Sequence, residues 1–176
     1  MTYRTEFPDF DPATLPAIPE GFDDASWGIE ACPSFTNADL GLTIWVDYAD
    51  ASVREHPEGP RFGIYACDGD GARIEDGFEF DSDDWQAILD QIARVRCGLG
   101  AEWSLTGTGG GLRMWKRDLQ DGRVAYIGDA EGGTLTDAVE PCEFSIWQGD
   151  DELGCTTANN SAEALAMIDS LAAAPN

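Results

Sequence analysis

Residues 77–98 read GFEFDSDDWQAILDQIARVRCG, and within this stretch the hydrophobic period changes from two residues to about 3.6. Phe78 and Phe80 alternate with Glu79 and Asp81, which predicts a strand with one face turned to a core. From Trp85 onward the apolar residues Trp85, Ile88, Leu89, Ile92 and Val95 recur at i, i+3, i+4 and i+7, the stripe of an amphipathic helix. Ser82 is placed to cap that helix. Asp83 and Asp84 complement the positive end of its dipole, Arg94 and Arg96 the negative end, and Gly98 stops it. A strand that runs straight into a helix places the chain in the α+β class.

Toward the N-terminus the strand reading continues. Residues 43–48 (TIWVDY) and 63–67 (GIYAC) are rich in β-branched and aromatic residues and bounded by turn formers. Between the second of these and the strand at 77–81, Asp68-Gly69-Asp70-Gly71 supplies the left-handed positions of a hairpin turn. The first 26 residues carry Pro8, Pro12, Pro16 and Pro19, which exclude a long helix there. They read as an extended arm that lays Phe7, Phe10, Leu15 and Ile18 on the body of the protein.

Toward the C-terminus, the run Gly107–Gly111 leads into a second series. Strands are expected at 112–119, 123–127, 143–148 and 153–158, followed by a helix capped by Ser161 that buries Leu165, Ile168 and Leu171. The two series overlay. At an offset of 81 positions Gly41, Ala49 and Pro60 fall on Gly122, Ala130 and Pro141; at 79, Ser82 falls on Ser161 and Ile92 on Leu171. The order in both is strand, strand, long loop, strand, hairpin, strand, helix. The expected architecture is therefore α+β with antiparallel sheets and two helices, in two similar strand-rich halves each ending in one helix. Residues 1–26 form the arm, 27–98 the first half, 99–111 a glycine-rich connector and 112–176 the second half, all within one compact domain.

Composition bounds what such a chain does. Its 176 residues are 43% apolar and include six Trp, eight Phe and four Tyr, enough for a core and unlike a disordered chain. Thirty-four acidic residues against ten basic ones give a formal net charge of −24, and Lys116 is the single lysine. Nucleic acid and anionic membrane surfaces are repelled by such a chain, because binding phosphate requires Lys and Arg. A basic protein is attracted and steered. Residues 1–10 hold one Arg and no apolar core of a secretory leader, no apolar run is of membrane-spanning length, and the expected location is cytoplasmic. The five widely spaced cysteines, Cys32, Cys67, Cys97, Cys142 and Cys155, fit neither a disulfide framework nor a CxxC site, and each is expected as a small core residue.

The familiar catalytic chemistries find no footing. His56 is the single histidine, in a loop by composition, so a nucleophile–histidine pair or a histidine zinc site has nothing to build on. Gly107-Thr108-Gly109-Gly110-Gly111 is not followed by GK[ST] and leads into a strand rather than a helix, unlike a phosphate loop. Asp68-x-Asp70 looks like the start of a calcium loop, but Ala72 and Arg73 stand where that loop needs an oxygen ligand and a glycine. No cofactor or metal is expected, and no enzymatic activity.

One feature rises above the general acidity. Six carboxylates lie between Glu75 and Asp84 (Glu75, Asp76, Glu79, Asp81, Asp83 and Asp84), with Arg73 beside them. Glu79 and Asp81 are expected on one strand face, roughly 6.6 Å apart. Asp83 and Asp84 continue the line onto the helix, and Asp68 and Asp70 extend it at the hairpin tip. The matching segment of the second series, residues 156–160 (TTANN), is neutral. This ridge is the expected partner-binding site.

In charge and size the chain resembles the DNA-mimic inhibitors that phages and mobile elements carry against restriction or CRISPR systems. That resemblance implies a non-enzymatic inhibitor docked on the basic, nucleic-acid-binding surface of another protein. The alternatives are an immunity protein or antitoxin that neutralises a nuclease-type toxin; a small-ligand binder with a cleft between the halves lined by Trp45, Trp103, Trp115 and Trp147; and a housekeeping domain whose acidity suits a salty cytoplasm.

Overall fold

The computed structural model describes residues 2–120 and 122–173, and the class is α+β. The chain divides into two compact units, residues 1–91 and 92–176. Among the described residues each unit holds one five-stranded antiparallel sheet in which strands adjacent in sequence are adjacent in space. The first unit contains β1 (Asp23–Asp24), β2 (Ser34–Asn37), β3 (Leu42–Val46), β4 (Phe62–Ala66) and β5 (Glu79–Ser82), with a short helix α1 (Tyr3–Glu6) ahead of them. Helix α2 (Trp85–Arg96) follows, and the division between the units falls inside it. The second unit contains β6 (Ser104–Gly109), β7 (Leu112–Asp118), β8 (Arg123–Asp129), β9 (Cys142–Gln148), β10 (Asp151–Ala158) and helix α3 (Ser161–Ala173). No helix among the described residues is long and apolar enough to cross a membrane.

The strand alternation sets the core. In the first sheet Phe35, Ile44, Ile64 and Phe80 lie in one cross-strand row, and Ile44 and Ile64 are wholly buried. In the second sheet the row is Trp115, Ile127, Phe144 and Thr156. Together with Trp103, Leu135, Ala164 and Ile168 its apolar members form a contiguous buried cluster. Matching these rows relates residues 35 to 115, 44 to 127, 64 to 144 and 80 to 156. The two units thus share a strand order, while the offsets of 81 and 79 read from the sequence give way to one that changes from strand to strand.

Five local expectations are corrected. Helix α2 starts at Trp85, and its cap is Asp84, whose Oδ1 accepts the Gln86 amide at 2.9 Å. Ser82 instead accepts the Asp84 amide, one turn earlier. Likewise α3 is capped by Asn160, which accepts the Glu163 amide at 2.9 Å; the Ser161 hydroxyl is buried and donates to the Cys97 carbonyl. In that helix Ile168 is buried as expected, whereas Leu171 is 46% exposed. Residues 107–111, expected as a connector, make the β6–β7 hairpin: Gly109, Gly110 and Gly111 all have positive φ, which glycine adopts without steric cost. Finally, four cysteines are buried, but Cys155 is exposed on β10, the edge strand of its sheet.

The N-terminal arm is anchored by its aromatic residues. Tyr3, Phe7 and Phe10 are buried; Tyr3 meets Phe10 and Phe35 edge-on, and Phe10 stands 5.4 Å from Tyr48 between ring centres. The Tyr3 amide donates to Asp24 at 2.7 Å and the Gly28 amide to Glu6 at 3.0 Å. Residues 3–6, ahead of Pro8, turn helical where an extended chain was expected.

Candidate functional site

Strand β5 is the edge of the first sheet, and its register decides which carboxylates share a face. Glu79 lies opposite Tyr65 and Asp81 opposite Gly63, both on the face away from the Phe35–Phe80 row, and both are exposed. Arg73 pairs with Glu79, and its guanidinium also stands 5.8 Å from the centre of the Tyr65 ring. Asp81 makes no ion pair among the described residues; partial burial raises its pKa, reinforced by the neighbouring Glu79 charge.

The other six predicted residues divide by what they already hold. Asp68 accepts the amides of Asp70 and Ala72 at 3.0 and 2.9 Å and so closes the turn, with Cys67 bridged to Arg73 behind it. Asp83 accepts the Arg61 amide at 2.9 Å and lies 4.0 Å from an Arg54 nitrogen. Asp84 caps α2. Asp70, Glu75 and Asp76 are exposed in the loop before β5, where a second turn closes on the bond from the Gly77 amide to the Ile74 carbonyl and Asp76 takes φ +60°. The ridge is therefore a strand pair, an exposed loop trio and three carboxylates committed to turns and a helix end. No group of three His, Cys, Asp or Glu side chains among the described residues is arranged to hold a metal.

The same outer face of the first sheet carries a second assembly that the sequence reading did not anticipate. Ser34, Trp45, Gly63 and Asp81 form one cross-strand row, and Thr36, Thr43, Tyr65 and Glu79 the next. The Trp45 indole lies directly over Gly63, where any Cβ would collide with the ring. Beside it a cavity of about 260 Å³ is walled by Trp45, Tyr65, Cys32, Asp47, Glu30, Glu55 and His56, with Ala31 and Ser34.

Local structure explains how these residues converge. Glu30 accepts the Trp27 amide and the Ser34 hydroxyl, fixing the turn at 27–30. Arg54 donates to the carbonyls of Tyr48, Ala49 and Gly59, which closes the 48–59 loop and presents Glu55 and His56. Asp47, at the end of β3, is 7% exposed. Its carboxylate accepts the Tyr48 amide at 2.7 Å, and burial raises its pKa. Burial likewise pushes the Cys32 thiol up to about 12, helped by the Asp47 and Glu30 charges, so Cys32 is a protonated wall and not a nucleophile. Next to the cavity, the turn at 27–30 exposes Trp27 by 59% and Ile29 by 89%.

Of the four tryptophans expected to line one cleft, two are core residues. Trp103 and Trp115 belong to the core of the second unit, where the Trp115 indole donates to the Leu135 carbonyl. Trp45 lines the cavity just described, and Trp147 lines another of about 510 Å³ on the second sheet, with Tyr126, Met114, Glu143 and Cys155. In the second sheet the positions matching Glu79 and Asp81 are Cys155 and Thr157, so the strand-borne acidic pair belongs to the first unit. Compared with known proteins, the chain matches no family model, no curated protein and no solved structure.

Proposed function

We propose that this protein is a non-enzymatic binding protein that docks the acidic outer face of its first sheet on a basic, nucleic-acid-binding surface of another protein, in the manner of a DNA-mimic inhibitor. The observation that carries this reading is the placement of Glu79 and Asp81. They project from an exposed edge strand, with Glu75, Asp76 and Asp70 in the adjoining loop. A single ion pair, from Arg73, offsets them among the described residues. Spaced carboxylates on a rigid strand match the spaced Lys and Arg of a phosphate-binding groove, and long-range attraction speeds their encounter.

The test is affinity capture of basic nucleic-acid-binding proteins at about 0.05 M and about 0.5 M salt, where screening separates electrostatic from apolar docking. Capture at the lower salt, lost at the higher and abolished by Glu75→Lys, Glu79→Lys and Asp81→Lys together, is the expected outcome. Asp83 is left out of this variant because its carboxylate holds the Arg61 amide. Capture indifferent to the three reversals overturns the reading.

A second reading, an immunity protein seated in the active site of a nuclease-type toxin, is favoured by the exposed Trp27 and Ile29 in the turn that Glu30 closes. Buried aromatic anchors ringed by charge are what tight plugs use. A toxin gene next to this one would favour it, and prophage or plasmid neighbours the first.

A further inference from the structure

We propose that the cavity between Trp45, Tyr65 and Asp47 is a receptor for one arginine side chain, whose guanidinium lies on the Trp45 indole and meets the carboxylates of Asp47, Glu30 and Glu55. This deepens the docking reading above and rests on it: the arginine belongs to the basic partner.

Four observations converge. The lining carries three carboxylates and neither Lys nor Arg, so its charge selects a cation. Asp47 is the decisive member. The residue is 7% exposed as a whole, and among the described residues its carboxylate accepts one hydrogen bond, from the Tyr48 amide. The remaining acceptor capacity of a carboxylate lining the cavity suits a guanidinium, which brings five donors in a planar fork. Arg54 is not available for that role: its side chain is 9% exposed and its donors are committed to three carbonyls of its own loop.

The aromatic wall supplies the second contact. Trp45 is seated on Gly63, a flat face suited to a stacked guanidinium, which an ammonium exploits less well. The neighbouring row already displays this chemistry within the chain, since Arg73 lies over Tyr65 while pairing with Glu79. Size agrees too. At about 260 Å³ the cavity falls just under the range of small-molecule sites, about 300–1,000 Å³, and suits a side chain.

The test titrates the full chain, 15N-labelled, with Nα-acetyl-arginine methylamide and follows the Trp45 indole N–H, assigned by its loss in Trp45→Phe. The lysine and citrulline analogues serve as comparisons. A saturable shift with arginine is expected, weakened about tenfold by Asp47→Asn and about threefold by Glu55→Gln, as for loss of charge-assisted hydrogen bonds. Glu55 is exposed, so its variant keeps the fold and protects the test if Asp47→Asn perturbs the strand. Absence of a saturable shift, equal binding of citrulline or lysine, or indifference to both variants overturns the receptor. The probe needs no partner, so the two readings fail separately. No arginine binding, with partner capture still abolished by the ridge reversal, removes the receptor alone. Arginine binding with capture that ignores the reversal removes the docking reading and leaves a receptor for an arginine from elsewhere.

Discussion

Gly63 and Asp47 show how single atoms shape the outer face of the first sheet. A glycine in mid-strand ordinarily weakens it, yet here the missing side chain is the seat of the Trp45 ring. Gly63→Ala forces the indole off the sheet, because the neighbouring strands hold the backbone on both sides. A loss of about 1–3 kcal/mol is expected, the range for overpacking, measured by urea unfolding and accompanied by a displaced Trp45 indole resonance. Asp47 is a cost that the fold carries. Its carboxyl has a raised pKa in the native state because it is buried, so the native state holds its proton at pH values where the unfolded chain has released it. Stability therefore falls as pH rises from the ordinary carboxylate range through the raised value. Asp47→Asn removes this cost while keeping an acceptor for the Tyr48 amide. Its unfolding midpoint is expected above that of the parent at pH 7, with the difference closing toward pH 4; a constant difference across that range would contradict the assignment.

At the scale of elements, the join between β5 and α2 is the most informative part of the chain. Asp84→Ala removes the side-chain acceptor of the Gln86 amide and is expected to cost about 1 kcal/mol, the usual worth of an N-cap, read from the same urea transition; Asp83→Ala tests the Arg61 contact instead. The strand, the helix and the shared face of Glu79 and Asp81 were legible because they follow from period alone. The true caps were not, since Ser82 and Asp84 are equally good cap residues and the choice depends on where β5 stops pairing with Phe62. The commitment of Asp83 was hidden for a similar reason: its partner amide lies 22 positions away. The glycine hairpin was misread because few apolar residues mark β6, which is mostly exposed. The cavity was illegible altogether. Glu30, Trp45, Asp47, Glu55 and Tyr65 come from two strands and the loops beside them, and none is conspicuous in so acidic a chain until Arg54 closes its loop.

For the whole molecule the net charge of −24 imposes a self-repulsion that every local contact must overcome. Two explanations of that charge predict different responses to salt. If the acidity adapts a housekeeping domain to a salty interior, the fold requires salt near molar concentration. If it serves an acidic docking face, the fold must stand in dilute buffer, because capture of a basic partner depends on unscreened charge. The interior favours the second course. Both sheets carry dense apolar rows, with Ile44, Ile64, Ala125 and Ile127 wholly buried, and burial of this kind contributes about 1.5–3 kcal/mol for each large side chain. Screening falls off over about 10 Å at 0.1 M salt, so moderate salt already relieves most of the repulsion between separated surface carboxylates. Thermal unfolding followed from about 0.02 to about 2 M NaCl is thus expected to give a cooperative transition throughout. The midpoint should climb steeply up to a few tenths molar and little beyond. A chain that unfolds below molar salt would return the acidity to salt adaptation and leave the ridge as one solvated strand among others.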